Sequence, residues 1–315
     1  MRPTELQLLL TYQCTRECEH CFAWGSPHQR GCMTLERIKL ILNQAKELDS
    51  LESISFTGGE PFLHYPILLS AVRLAARHDL KVSVISNGYW ATEEVDCTEW
   101  LGPLAGLVRD LTISCDWYHW EAELKQRVRN VCAVGGDLRV PIKVVSVVYP
   151  ECLGNESVTG SIPVEESPLT YRGRAAQELA PKAPGLTWLS FTACQNFDLR
   201  NPGRLYIDPF GNVMVCQGIS IGNVKDTPLV EICDSYAPDY HPIIEPLVEG
   251  GPVELVLRYG LDHKSAYADA CHACYEAREA LRGRFPDSLA PDQMYGVKST
   301  PDPIHTVLVE GDFLR

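Results

Sequence analysis

Features that define several protein classes are missing from this sequence of 315 residues. It has no uninterrupted apolar run of the roughly 18 residues that a membrane span needs, so we expect no transmembrane helix. The apolar stretch at residues 6–10 is too short for the hydrophobic segment of a signal peptide, and no small-residue cleavage site follows it. These absences predict a cytoplasmic protein without a membrane partner.

A long basic run is also missing, and the formal net charge is −13 at pH 7. Proteins that bind nucleic acids need a cationic face that displaces counterions from the phosphates. We therefore expect no nucleic-acid partner. Arg172 and Arg174 lie close together in the sequence and either form a local basic pocket or, as we expect, are both solvated surface residues.

Cysteine, in contrast, is abundant, with 13 residues in the chain. The number is odd, and disulfides are disfavoured in a reducing compartment. Clustered thiols in such a chain indicate metal binding or redox chemistry.

The first two-thirds of the chain alternates between strand-like and helix-like segments. Repeated strand–helix units predict a parallel sheet, because each parallel connection needs a crossover. Six units predict an α/β fold, a partial (β/α)6 barrel with its chemistry at the carboxyl ends of the strands. The predicted strands are residues 6–11, 54–57, 82–86, 111–115, 142–149 and 186–191.

The pattern changes after Cys194, where short strands at 204–207 and 213–216 flank a turn at 208–212. This change predicts a second, smaller and cysteine-rich domain. We predict a barrel at 1–192, a second domain at 193–284 and a C-terminal tail at 285–315.

The first predicted strand is followed by Cys14, Cys18 and Cys21 in a C-x3-C-x2-C spacing. Three thiolates on a short loop can hold three irons of a [4Fe–4S] cluster and leave the fourth iron open to a small molecule. Zinc is the alternative, with His20 or His28 as the fourth ligand.

The second predicted strand ends in Thr-Gly-Gly-Glu-Pro at residues 57–61. Two adjacent glycines allow a ligand to approach the backbone closely, and their carbonyl groups can accept hydrogen bonds from an ammonium group. An ordinary turn is the alternative for this segment taken alone.

Together these motifs resemble the radical S-adenosylmethionine (SAM) superfamily over residues 4–192. The resemblance implies that Cys14, Cys18 and Cys21 hold a catalytic [4Fe–4S] cluster. The family's adenine motif is not recognisable after the fifth strand, and no catalytic residue is predicted. The residues that the resemblance implies in binding SAM are His20, Gly58, Gly59, Glu60, Ser86, Asn87, Ser114 and Asp116.

The second domain resembles the auxiliary-cluster region of the SPASM and twitch subgroup. No cysteine follows Cys274, which fits the shorter, twitch-like version. Such a saturated cluster favours electron transfer over substrate coordination, and zinc is again the alternative. The ligands implied for an auxiliary [4Fe–4S] cluster are Cys194, Cys216, Cys271 and Cys274.

Two further features have open interpretations. Cys152 is either a thiol that returns a hydrogen atom to a substrate radical or an idle residue. The aromatic cluster at residues 117–120 either lines a substrate pocket or packs on the barrel rim.

The resemblance implies an enzyme that reductively cleaves SAM to a 5′-deoxyadenosyl radical, which abstracts a hydrogen atom from the substrate. An external one-electron donor such as flavodoxin or ferredoxin is the implied partner. The predicted barrel starts at residue 4, which favours an oxidoreductase on a small molecule, similar to the aminocyclitol dehydrogenases, over a maturase of ribosomally made peptides. A non-catalytic zinc or iron–sulfur module is the remote alternative. The Gly-Gly-Glu segment argues against it, because such a module needs no site for the amine of SAM.

Overall fold

The computed structural model describes residues 1–119, 122–148 and 162–297. Six consecutive strands of the sheet, in the order β1 to β6, run parallel to one another, with β6 at one edge. The prediction of a parallel α/β fold is therefore confirmed. These strands are β1 (Glu5–Leu9), β2 (Ser53–Thr57), β3 (Lys81–Ser86), β4 (Asp110–Ser114), β5 (Ile142–Val147) and β6 (Glu165–Ser167).

The helices cover the sheet through apolar faces that the sequence periodicity predicts. In the first helix, Leu35–Ala45, four apolar side chains at helical spacing are buried. Its predicted cap is present, because Thr34 Oγ1 accepts a hydrogen bond from the backbone N–H of Arg37 at 3.2 Å. The helices are α1 (Leu35–Ala45), α2 (Tyr65–Ala76), α3 (Glu94–Leu101), α4 (Leu124–Asp137), α5 (Arg174–Glu178), α6 (Leu229–Asp234), α7 (Ile244–Tyr259) and α8 (Ala270–Leu281).

The sheet continues into the second predicted domain. The eighth strand pairs in parallel with β1, and the ninth and tenth follow it as antiparallel neighbours. A separate two-stranded sheet joins the seventh and eleventh strands. Because one sheet crosses the predicted boundary, the division at residue 192 stays a prediction. These strands are β7 (Leu186–Thr187), β8 (Arg204–Ile207), β9 (Asn212–Cys216), β10 (Ile219–Asn223) and β11 (Ala266–Tyr267).

The sixth parallel strand is not the segment that the sequence predicts. Residues 186–191 contribute only the two-residue β7 and a 3₁₀ turn, while Glu165–Ser167 pairs with β5 at the sheet edge. The apolar composition of 186–191 was misleading, because Leu186 and Leu189 are exposed. An edge strand with the sequence Glu-Glu-Ser carries no apolar alternation, so periodicity does not reveal it.

Part of the predicted tail belongs to the packed structure. Met294 and Tyr295 are buried, and Tyr295 Oη donates to the carbonyl oxygen of Gly218 at 2.6 Å. Two residues singled out above, Trp120 and Cys152, lie outside the described residues. In residues 1–119, 122–148 and 162–297, no helix has both the length and the apolar character needed to cross a membrane.

Candidate functional site

The three cysteines of the C-x3-C-x2-C motif follow the carboxyl end of β1 in a short loop. The backbone N–H of Cys21 donates to the carbonyl oxygen of Cys18 at 3.1 Å, which closes the turn. All three cysteines line one cavity at the carboxyl edge of the parallel strands. The predicted SAM-binding residues in the same lining are His20, Gly58, Gly59, Ser86, Asn87 and Ser114.

The surroundings of these thiols suit ligation of a cation. Burial raises the pKa of Cys14 to about 12 and also raises that of Cys21, so their thiolates need a positive partner such as iron. The side-chain Nδ2 of Asn87 lies 3.6 Å from Cys14 Sγ, and the backbone N of Gly25 lies 3.3 Å from Cys21 Sγ. Such donors stabilise the thiolate ligands of an iron–sulfur cluster, so the donor set fits the group.

The glycines after β2 dock this loop against the cysteine loop. A Cβ atom on Gly59 would lie 2.2 Å from the carbonyl oxygen of Gln13, and one on Gly58 would lie 2.4 Å from that of Thr11. Gly58 also has a φ of 148°, which L side chains rarely adopt. The two glycines therefore meet a packing requirement as well as leaving the cavity open.

Glu60 is not part of the cavity lining. The residue is fully buried, and its carboxylate accepts hydrogen bonds from Ser86 Oγ at 2.9 Å and from the backbone N–H of Asn87 at 2.7 Å. Burial raises the pKa of this carboxyl group to about 7. Glu60 therefore positions two residues that do line the cavity, and its direct contact with SAM stays a prediction.

Asp116 is also buried beside the cavity and is absent from its lining. Its Oδ1 lies 2.8 Å from His119 Nδ1, and its Oδ2 lies 3.9 Å from His20 Nε2. Burial lowers the pKa of His20 to about 4, and its ring stacks on Tyr118 with ring centroids 4.4 Å apart. Asp116 therefore orients His119, the member of the 117–120 cluster that lines the cavity among those described.

The expectation that Arg172 and Arg174 are solvated is wrong for Arg174, and Arg172 is half-buried. Arg174 is 8% exposed, and its guanidinium donates to the carbonyl oxygens of Cys18 at 2.7 Å and of Gly25 at 2.9 Å. Arg172 lines a second cavity with two of its guanidinium nitrogens buried. The reason is tertiary: the segment that contains both residues folds across the cysteine loop.

The second cavity is lined by all four cysteines predicted for the auxiliary site: Cys194, Cys216, Cys271 and Cys274. The four cysteines come from three parts of the chain. Cys216 ends β9, and Cys271 and Cys274 lie in α8, whose N-cap Asp269 accepts from the backbone N–H of His272 at 2.7 Å. Cys194 follows a segment that contacts the kink of α7, where a Cβ on Gly251 would lie 2.3 Å from the backbone N of Ala193.

The buried thiols and the guanidinium that line this cavity suit an anionic group held by thiolates. Burial raises the pKa of both Cys271 and Cys274 to about 12, so their thiolates also need a positive partner. The side-chain Nδ2 of Asn196 lies 3.0 Å from Cys271 Sγ. The Nε and Nη1 atoms of Arg172 are buried and make no hydrogen bond within the described part of the chain. A cluster with four thiolates would supply both the cation for the sulfurs and the negative charge for this guanidinium.

Sequence reasoning missed the residues that support the two cysteine sets. Gly25 and Asn196 were missed although each lies close to a predicted ligand, and this proximity was the available signal. Arg172 and Arg174 lie far from every cysteine in the sequence, so only the fold brings them to the sites.

Comparison with known proteins agrees with this geometry. The fold is a mostly parallel α/β sheet with three cysteines and a Gly-Gly-Glu loop at its carboxyl edge. The model of the radical SAM superfamily matches residues 8–136, which include the three cysteines and this loop. Over this segment, which is less than half of the chain, the sequence is similar to the radical SAM superfamily. The cofactors that the superfamily uses are a [4Fe–4S] cluster and SAM.

Similar curated proteins cover parts of the chain. The putative peptide biosynthesis protein YydG of Bacillus subtilis is 30% identical over 123 residues, which are 39% of each chain. The SAM-dependent nucleotide dehydratase of Selenomonas ruminantium is 33% identical over 84 residues, which are 27% of this chain and 30% of that protein. The chain thus matches less than half the length of either relative.

A solved structure extends the similarity of fold. The crystal structure of BtrN in complex with AdoMet and 2-DOIA superposes with a TM-score of 0.50 and 18% identity. The superposition covers 73% of this chain and 81% of that chain. It extends the similarity of fold beyond the residues that the family model matches.

Proposed function

We propose that this chain is a radical SAM enzyme of the twitch-like subgroup that cleaves SAM reductively and removes a hydrogen atom from its substrate in an oxidoreductase-type reaction. The observation that supports the proposal is the convergence of three cysteines and residues from the ends of β2, β3 and β4 on one cavity. The reduced cluster, when bound, supplies the electron that cleaves SAM to the 5′-deoxyadenosyl radical.

The residues of the chain have three roles in this proposal. Cys14, Cys18 and Cys21 hold the first cluster and leave one iron for SAM. The cavity-lining residues of the Gly-Gly-Glu loop and of the ends of β3 and β4 orient SAM. Glu60 and Asp116 hold the loops after β3 and β4 through buried hydrogen bonds.

The second proposed group is an auxiliary [4Fe–4S] cluster with Cys194, Cys216, Cys271 and Cys274 as ligands. The support is that all four line one cavity with Arg172, whose buried Nε and Nη1 have no hydrogen-bond partner among the described residues. Four protein ligands leave no iron open, which favours electron transfer. A reducing compartment suits this number of free thiols, so we place the enzyme in the cytoplasm with an external one-electron donor.

A maturase that modifies a ribosomally made peptide is the second candidate. The similarity to a putative peptide biosynthesis protein supports it, although the match covers 39% of each chain. The two candidates differ in substrate class. To distinguish them, 5′-deoxyadenosine formation would be measured with aminocyclitols and with peptides from short reading frames beside the gene. A rise above the substrate-free rate with aminocyclitols alone supports the oxidoreductase, and a rise with a peptide alone replaces it by the maturase.

Metal content and SAM cleavage test the proposal as a whole. Iron, sulfide and zinc would be measured after anaerobic reconstitution in the wild type and in a Cys14/Cys18/Cys21→Ala variant, and 5′-deoxyadenosine after dithionite and SAM. We expect about eight irons in the wild type and about four in the variant, with SAM cleavage in the wild type alone. About four irons in the wild type and none in the variant would remove the auxiliary cluster. Zinc without SAM cleavage would reject the enzyme and support the metal-binding module.

A further inference from the structure

One short segment contacts both cysteine sites. We call residues 171–174 the linking segment. At one end, the backbone N–H of Tyr171 donates to Asp269 Oδ2 at 3.1 Å, and Asp269 is the N-cap of the helix that carries Cys271. At the other end, the backbone N–H of Arg174 donates to the carbonyl oxygen of Cys21 at 3.0 Å. The linking segment is thus fixed to both sites by hydrogen bonds.

Gly173 brings the linking segment into direct backbone contact with the first site. Its φ is 60° and its ψ is −135°, and a Cβ atom there would lie 2.5 Å from the carbonyl oxygen of Phe22. A side chain at this position would therefore push the segment away from the cysteine loop.

Arg172, between these anchors, faces the second cavity. Its guanidinium carbon lies 5.7 Å from the ring centroid of Phe22, which follows Cys21, and 5.3 Å from that of Phe197. The two rings hold the guanidinium in place, while its buried Nε and Nη1 have no hydrogen-bond partner in the residues described.

Arg278 provides a contrast in the lining of the same cavity. It is 2% exposed, but its Nη1 donates to the carbonyl oxygen of Gln217 at 2.8 Å and to Tyr295 Oη at 3.2 Å. The guanidinium of Arg278 therefore has hydrogen-bond acceptors within the protein. Buried guanidinium nitrogens without acceptors are costly, so the Nε and Nη1 atoms of Arg172 indicate an anionic occupant of the cavity.

We propose that Arg172 is a positioning residue whose positive charge stabilises the reduced form of an auxiliary cluster in the second cavity. The proposal rests on the proposed function, because it assumes a cluster with four thiolate ligands there. Reduction by one electron from an external donor adds one negative charge to this already anionic group. A fixed cation favours that added charge and raises the reduction potential.

The test is a redox titration with dithionite, monitored by electron paramagnetic resonance, of the fully reconstituted chain. The variants are Arg172→Gln, Arg172→Lys and the control Arg200→Gln, which removes an exposed ion pair with Asp239. We expect Arg172→Gln to lower the potential of the auxiliary cluster and leave that of the first cluster unchanged. Arg172→Lys and the control should stay near the wild type.

Failure of the inference is distinguishable from failure of the proposed function. An unchanged auxiliary potential in an Arg172→Gln variant with full iron content would overturn the inference. If Arg172→Gln loses the auxiliary iron, iron retained in Arg172→Lys supports the role of charge, and iron lost from both variants contradicts it. A wild type that holds only the iron lost in the Cys14/Cys18/Cys21→Ala variant would instead overturn the auxiliary cluster itself.

Discussion

The guanidinium of Arg174 donates to the backbone carbonyl oxygen of Cys18 at 2.7 Å, although 156 positions separate the two residues in the sequence. The contact joins the irregular segment after β6 to the loop that holds the first three cysteines. The geometry of that loop therefore depends on a part of the chain that contributes no ligand to it.

Replacing Arg174 tests this dependence. In Arg174→Gln the carbonyl oxygens of Cys18 and Gly25 lose charged donors in a buried place. We expect the free energy of unfolding of the apoprotein to fall by about 2 to 4 kcal/mol, because each buried group left unsatisfied costs about 1–3 kcal/mol. Urea denaturation measures the loss. Arg200→Gln, at an exposed ion pair, is the control and should cost less than about 1 kcal/mol.

Gly173→Ala tests the close contact of the linking segment. The added Cβ would meet the Phe22 carbonyl oxygen at 2.5 Å in a backbone conformation with φ of 60°. Such overpacking costs about 1–3 kcal/mol, and the strained backbone costs about as much again. We therefore expect the free energy of unfolding to fall by at least about 2 kcal/mol and the first site to bind less iron. Gly102→Ala is the control, because nothing lies within 4 Å of its Cβ position. Equal stability of the two variants would contradict the contact.

The first site could be predicted from the sequence because its parts are contiguous motifs. Cys14, Cys18 and Cys21 follow one strand and Gly58 and Gly59 follow the next, and neighbouring parallel strands bring their carboxyl ends to the same edge. These residues converge if β1 and β2 are neighbouring parallel strands, which the alternation of strand-like and helix-like segments predicts. The absence of Glu60 from the cavity lining could not be predicted, because its hydrogen bonds depend on the path of the backbone at the end of β3.

The support around the two sites could not be predicted for a different reason. Arg172 and Arg174 belong to a segment without periodicity, so their environment depends entirely on tertiary contacts. The strand Glu165–Ser167 was missed on the same ground, since an edge strand needs no apolar face. Four cysteines scattered over residues 194–274 were predicted by resemblance, and only the fold brings them to one cavity.

Gly59→Ala tests whether the Gly-Gly-Glu loop needs glycine for packing before any ligand binds. Its Cβ would lie 2.2 Å from the carbonyl oxygen of Gln13, and neither backbone segment can yield easily. We expect the apoprotein to lose about 2 to 4 kcal/mol of unfolding free energy by urea denaturation. Gly136→Ala, in α4 with open space around its Cβ, should instead gain about 0.5–1 kcal/mol. If the Gly59→Ala apoprotein is as stable as the wild type, packing does not require this glycine, and its role is limited to ligand access.

Asp208 makes the stability of the chain depend on pH. This carboxyl group is fully buried at the end of β8, where it accepts from the backbone N–H of Asn212 at 2.8 Å and from Tyr12 Oη at 3.2 Å. Burial raises its pKa to about 6 in the folded chain. The folded state therefore holds a proton that the unfolded state releases, and stability from this group falls as the pH rises from about 4 to about 6.

Asp208→Asn should remove this slope. The amide keeps an oxygen for the Asn212 N–H and can donate to Tyr12 Oη, so the turn at 208–212 is retained. Relative to the wild type, we expect the variant to gain up to about 3 kcal/mol between pH 4 and pH 7, measured by urea denaturation of the apoprotein at each pH. Asp239→Asn, at the exposed ion pair with Arg200, is the matched control and should follow the wild-type pH dependence. Parallel pH profiles of wild type and Asp208→Asn would show that the buried carboxyl group titrates alike in the folded and unfolded chain.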